Sequence, residues 1–331
     1  MNRLSQLLSP AKPGAISSKP FWHIVNKEIA DHVRSWRFMI LIGIIVLTCM
    51  GSLYSALSNF GEAIKGDQVE DSFFFLKLFT TSDGSLPSFL VFVSFLGPLL
   101  GIGMGFDAIN SEQNNGTLSK ILAQPIPRDY LLNAKFVGAL MVVSVMFFAL
   151  GFLVMGFGLI AIGIPPTAEE FLRFICFIIV SIFYVAFWLN LAIFFSVRFK
   201  QAATSALAGI AVWLFFSVFY GLIVDVIAKM AAPSRMASAR EMINYQELIK
   251  NLLGILPSQL YSDATSTLLI PSVRSLGPLT IEQVYGAIPS PIPLGQSLLL
   301  VWPQLTGLIA ITVLCFAASY ISFMRREIRS K

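Results

Sequence analysis

The chain has 331 residues, of which 56% are hydrophobic and only 12% are charged. Soluble domains carry about a quarter charged residues, so this composition indicates a membrane protein and argues against a soluble enzyme. The net charge of +5 would suit a nucleic-acid partner, but the Lys and Arg residues are spread over short loops. Their distribution reports membrane orientation instead, and no nucleic-acid partner is expected.

Residues 1–37 form a predicted cytoplasmic N-terminal segment, and its second half carries an amphipathic pattern. An apolar residue recurs at every fourth position, with a tryptophan flanking this stripe at each end: Phe21, Val25, Ile29, Val33, Trp22 and Trp36. The spacing predicts a helix, and its tryptophans and basic face suit the cytoplasmic membrane interface. The alternative is a helix that packs on a neighbouring part of the protein through the same stripe.

Six apolar segments are long enough to cross a bilayer core, which requires roughly 20 apolar residues in helical form. They are Phe38 to Leu57, Pro87 to Phe106, Phe136 to Ile164, Phe171 to Phe195, Ala202 to Ala228, and Ser297 to Phe323. We therefore predict an all-α membrane protein with a transmembrane domain over residues 38–323 and a cytoplasmic tail over residues 324–331. No cleaved signal peptide is evident, because the first apolar run is itself long enough to span.

Lys and Arg residues are distributed unequally between the two faces of this predicted domain. The N-terminal segment, the second and fourth connections and the C-terminus together hold fifteen. The opposite face holds two in the first connection, one at Arg173 and five in the last connection, whose length largely exempts it from the orientation rule. Positively charged loops stay on the cytoplasmic side, so both termini are predicted to be cytoplasmic. The short loops fit the plasma membrane of a bacterium or an archaeon.

The second span carries a ridge of small residues. Gly97, Gly101 and Gly105 are four residues apart and lie on one face of a helix. Such a ridge permits close approach of another helix in a membrane. The partner helix lies either within the same subunit or across the seam of a dimer, and the spacing does not distinguish between them.

A polar loop, residues 107–135, connects the second and third spans. Gly116 and Thr117 are able to start a helix in this loop and Pro125 to stop it, and a second helix begins near Pro127. The first helix has a short apolar face made of Leu118, Ile121 and Leu122. This face is either buried against the protein's own spans or offered to a partner, and we expect it to face the cytosol.

The last connection, residues 229–296, is long for a compact membrane domain, which indicates structure or function of its own. Two helical pieces are predicted in it, from Glu241 to Leu256 and from Pro257 to Ile270. We interpret this connection as a folded, helical extracytoplasmic cap.

The polar loop resembles the cytoplasmic loop of type-2 ATP-binding-cassette (ABC) permeases. In that family a Glu is followed by Gly-Thr, a pair of leucine-like residues, a Pro-Ile-x-Arg turn and a Lys that enters the next span. The matching residues are Glu112, Gly116, Thr117, Leu118, Ile121, Leu122, Pro125, Ile126, Arg128 and Lys135. Six spans, an N-terminal interfacial helix and the segment LPSQLYSDATSTLL before the last span extend the resemblance over most of the chain.

The resemblance implies a permease subunit of an ATP-driven transporter, an exporter, which pairs with a second permease copy as a homodimer or heterodimer. It also implies that a separate ABC ATPase subunit docks on a coupling helix over residues 116–124. Glu112 would secure the base of the loop, and Arg128 would pin the turn by charge-assisted hydrogen bonds. The chain has no G-x-x-x-x-G-K-[ST] motif, so ATP and Mg²⁺ are expected on the ATPase and no cofactor on this chain.

Motifs for chemistry within the membrane are missing from the sequence. It has neither an HExxH pair nor a Gly-x-Ser-x-Gly context, so no catalytic residue and no metal site is predicted. Three cysteines lie in apolar runs and are expected to be buried small side chains: Cys49, Cys176 and Cys315. Asn190 and Trp188 are the most polar deep residues of the fourth span, either beside a substrate path or between packed helices. A non-transporting anchor or scaffold that binds an accessory protein through the cap is the alternative function.

Overall fold

The computed structural model describes residues 19–63, 73, 75–80, 87–163, 165–233, 238–271 and 292–325. Regular structure in these ranges is entirely helical, which confirms the all-α prediction. The helices are α1 (Lys19–Arg34), α2 (Trp36–Ala63), α3 (Lys77–Thr80), α4 (Phe89–Gly105), α5 (Asn110–Asn114), α6 (Thr117–Leu122), α7 (Arg128–Ile162), α8 (Ala168–Arg198), α9 (Ala202–Leu214), α10 (Tyr220–Ala231), α11 (Ala239–Leu253), α12 (Pro257–Leu269) and α13 (Leu294–Met324). One π-helical turn, Phe215–Phe219, joins α9 to α10.

Within the described ranges, six helical segments are long and apolar enough to cross a membrane. They are Trp36–Leu57, Phe89–Asn114, Arg128–Ala161, Ala168–Arg198, Ala202–Ala231 and Leu294–Met324. The prediction of six spans is therefore confirmed. The third span, predicted from Phe136, begins at Arg128, because the second helix of the polar loop continues into it without a break.

Helix α8 is the centre of the bundle and packs against α4, α7, α9, α12 and α13. Its start is fixed by a capping box. The Thr167 hydroxyl accepts a hydrogen bond from the backbone N–H of Glu170, and the Glu170 carboxylate accepts one from the backbone N–H of Thr167, at 2.8 Å. Such reciprocal bonds satisfy amide groups that a helix start leaves unpaired. The helix therefore begins before the apolar run that predicted it from Phe171.

The glycine ridge of α4 faces α8 of the same chain. A methyl group on Gly101 would lie 2.8 Å from the Val185 carbonyl oxygen, and one on Gly105 would lie 2.7 Å from that of Leu189. A methyl group on Gly97 would meet the Val185 side chain at 3.2 Å. Only glycine permits two helix backbones to approach this closely. The ridge therefore packs on a helix of the same subunit, which is one of the two predicted alternatives.

Arg173 fixes the described part of the cap to the spans. Its side chain is fully buried and lies on the face opposite to the polar loop. The guanidinium donates hydrogen bonds to the carbonyl oxygens of Leu268, at 3.1 Å, and of Ile292. It also donates to the Ser297 hydroxyl, at 3.1 Å, and pairs with Glu169 at 2.9 Å. One side chain thus joins α8, the end of α12 and the start of α13.

The two helices of the cap differ in their packing. Helix α12 lies in the core, where the Tyr261 ring stacks on the Tyr184 ring with 4.4 Å between centroids. Helix α11 lies along α10, where the Tyr220 hydroxyl donates to the Leu252 carbonyl oxygen at 2.8 Å. These helices lie close to the two predicted pieces. Residues 272–291 of the predicted cap, 1–18 of the N-terminal segment and 326–331 of the tail lie outside the described residues.

Candidate functional site

The polar loop folds into two short helices, α5 and α6, before α7 begins. Gly116 separates the two with a φ of 69°, a left-handed backbone conformation that glycine adopts without strain. Helix α6 starts at the next residue and ends at Leu122, before Pro125. Its bounds therefore lie within those that the glycine and the proline predict.

The apolar face of α6 turns towards the protein's own spans. Leu118 is only 3% exposed and belongs to the hydrophobic core, and Ile121 packs against that core. The expectation that this face points to the cytosol is therefore wrong for Leu118, because burial against the spans removes its side chain from water. The side chain of Leu122 lies outside the described residues. The exposed residues of α6 and of the turn after it are Ser119, Lys120, Ala123, Gln124 and Pro125.

Glu112 connects the base of the loop to three other helices. Its carboxylate accepts a hydrogen bond from the hydroxyl of Thr117, the first residue of α6. The same carboxylate lies 3.4 Å from Nζ of Lys135 in α7 and 3.3 Å from Nζ of Lys27 in α1. The side chain is 13% exposed, so these attractions are screened less than those of a surface pair. Glu112 thus joins the loop to α1 and α7, and its role in coupling to an ATPase stays a prediction.

Glu112 belongs to an ion cluster that also contains Glu28, Lys27 and Lys135. Nζ of Lys135 lies 3.0 Å from a carboxylate oxygen of Glu28, and these side chains are only 6% and 7% exposed. Lys27 lies at the rim and also pairs with Asp31, at 3.3 Å. Burial alone lowers the pKa of Lys27, but the carboxylates of Glu28, Glu112 and Asp31 raise it above its ordinary value. Because a buried charge is tolerated only when it is paired, the ion cluster holds α1, the loop and α7 together.

Sequence reasoning missed Glu28 and Lys27 as members of this site. Glu28 follows Val25 by three residues, so both lie on one face of α1 and both are buried. An acidic residue on the apolar side of an amphipathic helix is the signal that would have identified it. Its partner is Lys135 of α7, which the spacing of residues within α1 does not predict.

Helix α1 packs on α7 through the first part of its apolar stripe. Val25 is fully buried, and a methyl group on Gly138 of α7 would lie 3.0 Å from Cβ of Glu28. The Phe21 ring meets the Tyr130 ring edge-on, with 5.5 Å between centroids. This contact realises the alternative in which the stripe packs on a neighbouring part of the protein.

The rest of the stripe is left open. Ile29 is half-buried, while Trp22 and Val33 are each 46% exposed. Trp36 is the first residue of α2 and not part of α1, and it is the most exposed of the set. Placement of this exposed part in the membrane interface stays a prediction.

Arg128 lies at the start of α7, with its side chain exposed. It makes no hydrogen bond or ion pair with another residue in the described ranges. The turn before α7 is therefore not pinned by this side chain within the subunit, and a role for Arg128 towards a partner stays a prediction.

A polar cavity of about 170 Å³ lies beside the ion cluster. Its charged and titratable lining comprises Glu28, Asp31, His32, Arg37, Asp107, Glu112 and Lys135. Arg37 pairs with Asp107, which connects the start of α2 to the turn between α4 and α5. Burial lowers the pKa of His32, so its imidazole is neutral at neutral pH.

The deep polar residues of the fourth span are buried. Asn190 is fully buried, and its side-chain amide finds no hydrogen-bond partner among the described residues. Trp188 is also buried, so neither side chain lines an open path in this subunit. Cys49 is buried, whereas Cys176 and Cys315 are half-buried, and all are free thiols. No group of His, Cys, Asp or Glu suited to a metal ion occurs in the described part of the chain.

Comparison with known proteins identifies similar chains. The model of the ABC-2 family of transporter proteins matches residues 22–328. The probable ABC transporter permease protein NosY of Pseudomonas aeruginosa is 29% identical over 207 residues, which cover 61% of this chain and 68% of that protein. The protein of the same name from Stutzerimonas stutzeri is 27% identical over 210 residues, with the same coverage of 61% and 68%.

Proposed function

This chain belongs to the ABC-2 family of transporter proteins and is a membrane permease subunit of an ABC transporter, and from that premise we propose that it exports its substrate with the energy of a separate ATPase. The ATPase docks on residues 112–135 of the polar loop. The observation that carries this proposal is the ion cluster, because it connects the loop to both α1 and α7.

The loop has the two surfaces that coupling requires. Its inner surface is anchored by the buried Leu118 and by the ion cluster, so a displacement of α6 would move α1 and α7 with it. Its outer surface is exposed and contains Lys120, Ala123 and Gln124. Packed helices that move as rigid bodies are sufficient for alternating access.

The transport path, by family resemblance, lies between two permease copies. The second copy is the same chain or a different permease, and spans two and five open or close the path between them. ATP and Mg²⁺ act on the ATPase, and this chain contributes no catalytic group. The loop and both termini lie in the cytoplasm, which the excess of Lys and Arg on that face supports. The plasma membrane of a bacterium or an archaeon is the proposed location.

Co-purification from the native host in mild detergent tests the docking surface. Lys120→Glu combined with Ala123→Glu changes two exposed side chains and leaves the buried Leu118 in place. Lys250→Glu combined with Asn251→Glu, at exposed positions at the end of α11, is the matched control. We expect an ATPase with a phosphate-binding loop to co-purify with wild type and with the control pair, and to be lost from the loop pair.

Two results separate the possible failures. If the ATPase still co-purifies with the Lys120→Glu and Ala123→Glu double variant, the docking surface does not lie at residues 119–125. Absence of any ATPase from folded, membrane-inserted wild type would remove the coupling proposal altogether, and a non-transporting anchor would then account for the chain.

A further inference from the structure

An apolar groove lies on the outside of the bundle between α1, the start of α2 and α7. Its walls are formed by Ile29 and Val33 of α1, by Phe38 and Ile42 of α2, and by one face of residues 137–150 of α7. The groove has a volume of about 710 Å³. It is open to the surroundings, because Val33 and Val145 are 46% and 69% exposed. It is separate from the polar cavity, although Phe38 contributes to the walls of both.

The chemistry of these walls favours a hydrocarbon chain. Ser144 is the one polar side chain in the groove lining, and its hydroxyl already donates to the Leu140 carbonyl oxygen at 2.7 Å. An extended peptide in this groove would leave its own N–H and C=O groups without partners, which is unfavourable at membrane depth. A hydrocarbon chain brings no such groups.

The length of the groove agrees with this occupant. Residues 137–150 rise by about 20 Å along α7 at about 1.5 Å per residue, comparable to the roughly 15 Å thickness of one leaflet of a bilayer core.

A positively charged residue directly follows the groove wall in the sequence of α1. Arg34 directly follows Val33, is exposed and makes no ion pair within the described part of the chain. The other charges nearby are already paired, Asp31 with Lys27 and Arg37 with Asp107. Trp36, the next exposed aromatic side chain, is of the type that gathers at the membrane interface. Basic groups at this depth bind the headgroups of anionic lipids.

We propose that the groove binds one acyl chain of an anionic phospholipid whose phosphate lies against Arg34. The lipid would belong to the leaflet on the side of α1 and would fill the space between α1 and α7. This site goes beyond the proposed function, because it requires neither the ATPase nor a transported substrate.

Native mass spectrometry of the purified full-length protein tests the site. Phosphatidylglycerol and phosphatidylcholine with identical acyl chains are added separately to the detergent micelles, and the lipids retained per chain are counted. Val145→Trp fills the groove from an exposed position, and Leu314→Trp on α13, with an equal exposure of 69%, is the matched control. We expect wild type and the control to retain one more phosphatidylglycerol per chain than Val145→Trp.

Arg34→Gln tests the headgroup contact. The expected result is loss of the preference for phosphatidylglycerol over phosphatidylcholine, with retention of a lipid in the groove. Equal retention of both lipids by wild type would overturn the role of Arg34. Equal retention by wild type and Val145→Trp would overturn the groove as the lipid site. The proposal would also be overturned if wild type gave the mass of a dimer, Val145→Trp alone abolished that mass, and the number of retained lipids stayed the same. The groove would then be a contact with a second copy of the chain.

Discussion

Lys135 is a cation that has almost no access to water, and its position depends on two carboxylates from elsewhere in the chain. Glu28 comes from α1 and Glu112 from the loop, at 3.0 and 3.4 Å from Nζ. A buried ion pair contributes little net stability relative to apolar residues, but removal of one partner leaves the other charge buried without compensation. The ion cluster therefore specifies how α1, the loop and α7 fit together.

Lys135→Met is expected to lower the free energy of unfolding by about 3–5 kcal/mol, because it leaves Glu28 and Glu112 buried with only the rim cation Lys27 nearby. Unfolding by sodium dodecyl sulfate in mixed micelles measures the change. Lys120→Met, at an exposed position, should change the value by less than about 0.5 kcal/mol. Addition of Glu28→Gln to Lys135→Met should recover part of the loss, and a double variant no more stable than the single one would contradict this account.

His32 is expected to make the protein less stable in mild acid. Burial holds its folded pKa below the unfolded value of about 6.5, so the unfolded chain binds the proton first as the pH falls. Stability from this group is fully present above that pH and is lost below it, with a slope of at most about 1.4 kcal/mol per pH unit. The charged groups that face the imidazole are Glu28, Asp31, Asp107 and Lys135.

The measurement is the melting temperature in detergent at pH 7.5 and pH 5.5. Wild type should lose more stability between these values than His32→Gln, whereas His23→Gln, an exposed position on the same helix, should follow wild type. The same pH dependence for wild type and His32→Gln would show that this imidazole is not the group responsible.

At this scale the sequence predicts some contacts and misses others for physical reasons. The spacing of Glu112, Gly116 and Thr117 is local, so the fold of the loop follows from it. The direction of Leu118 does not, because a helix of six residues is too short for periodicity to identify its buried side. Glu28 escapes prediction because its partner is 107 residues away.

Helices α4 and α8 pack closely against each other, and the sequence predicts only part of this contact. A spacing of four residues identifies the glycine face of α4, but it contains no information about the helix that meets it. The same limit applies to the start of α8, where the polar residues Thr167 and Glu170 form the capping box before the apolar run. Long apolar runs predict that six spans exist, and their ends depend on such local polar contacts.

Gly101→Ala is expected to force α4 away from α8, because the added methyl group would lie 2.8 Å from backbone atoms that cannot rotate aside. The expected cost is about 1–3 kcal/mol in the free energy of unfolding. Gly43→Ala in α2 is the matched control, because nothing lies within 4 Å of the added methyl group. That change should be neutral or stabilise by up to about 1 kcal/mol. Equal stability of the two variants would contradict close α4–α8 packing.

Arg173→Gln is expected to release the described part of the cap from the spans. The change removes donors from the carbonyl oxygens of Leu268 and Ile292, and each buried group left unsatisfied costs about 1–3 kcal/mol. Hydrogen exchange should accelerate at residues 292–297, and Arg173→Lys should not restore protection because an ammonium group lacks the planar fork. Arg240→Gln, exposed on α11, is the control. Unchanged exchange in Arg173→Gln would contradict this role.

At the scale of the whole molecule, two buried polar centres hold opposite faces of one helical bundle. The ion cluster lies on the face of the loop, and Arg173 lies on the face of the cap, with α8 between them as the central helix. Composition and hydropathy predict the bundle, and the distribution of Lys and Arg predicts its orientation. The two centres depend on contacts between distant residues, so they appear only in the structure.

Photo-crosslinking from the loop in native membranes tests the central proposal most directly, namely that an ATPase docks on this loop. A benzoylphenylalanine residue replaces Lys120 on α6 in one variant and Lys250 on α11 in the other, both at exposed positions. After irradiation, mass spectrometry identifies the captured protein. We predict an adduct with a protein that carries a phosphate-binding loop from position 120 and none from position 250. Capture of such an ATPase from position 250 alone, or from neither position in membranes where both variants are folded, would contradict the proposal.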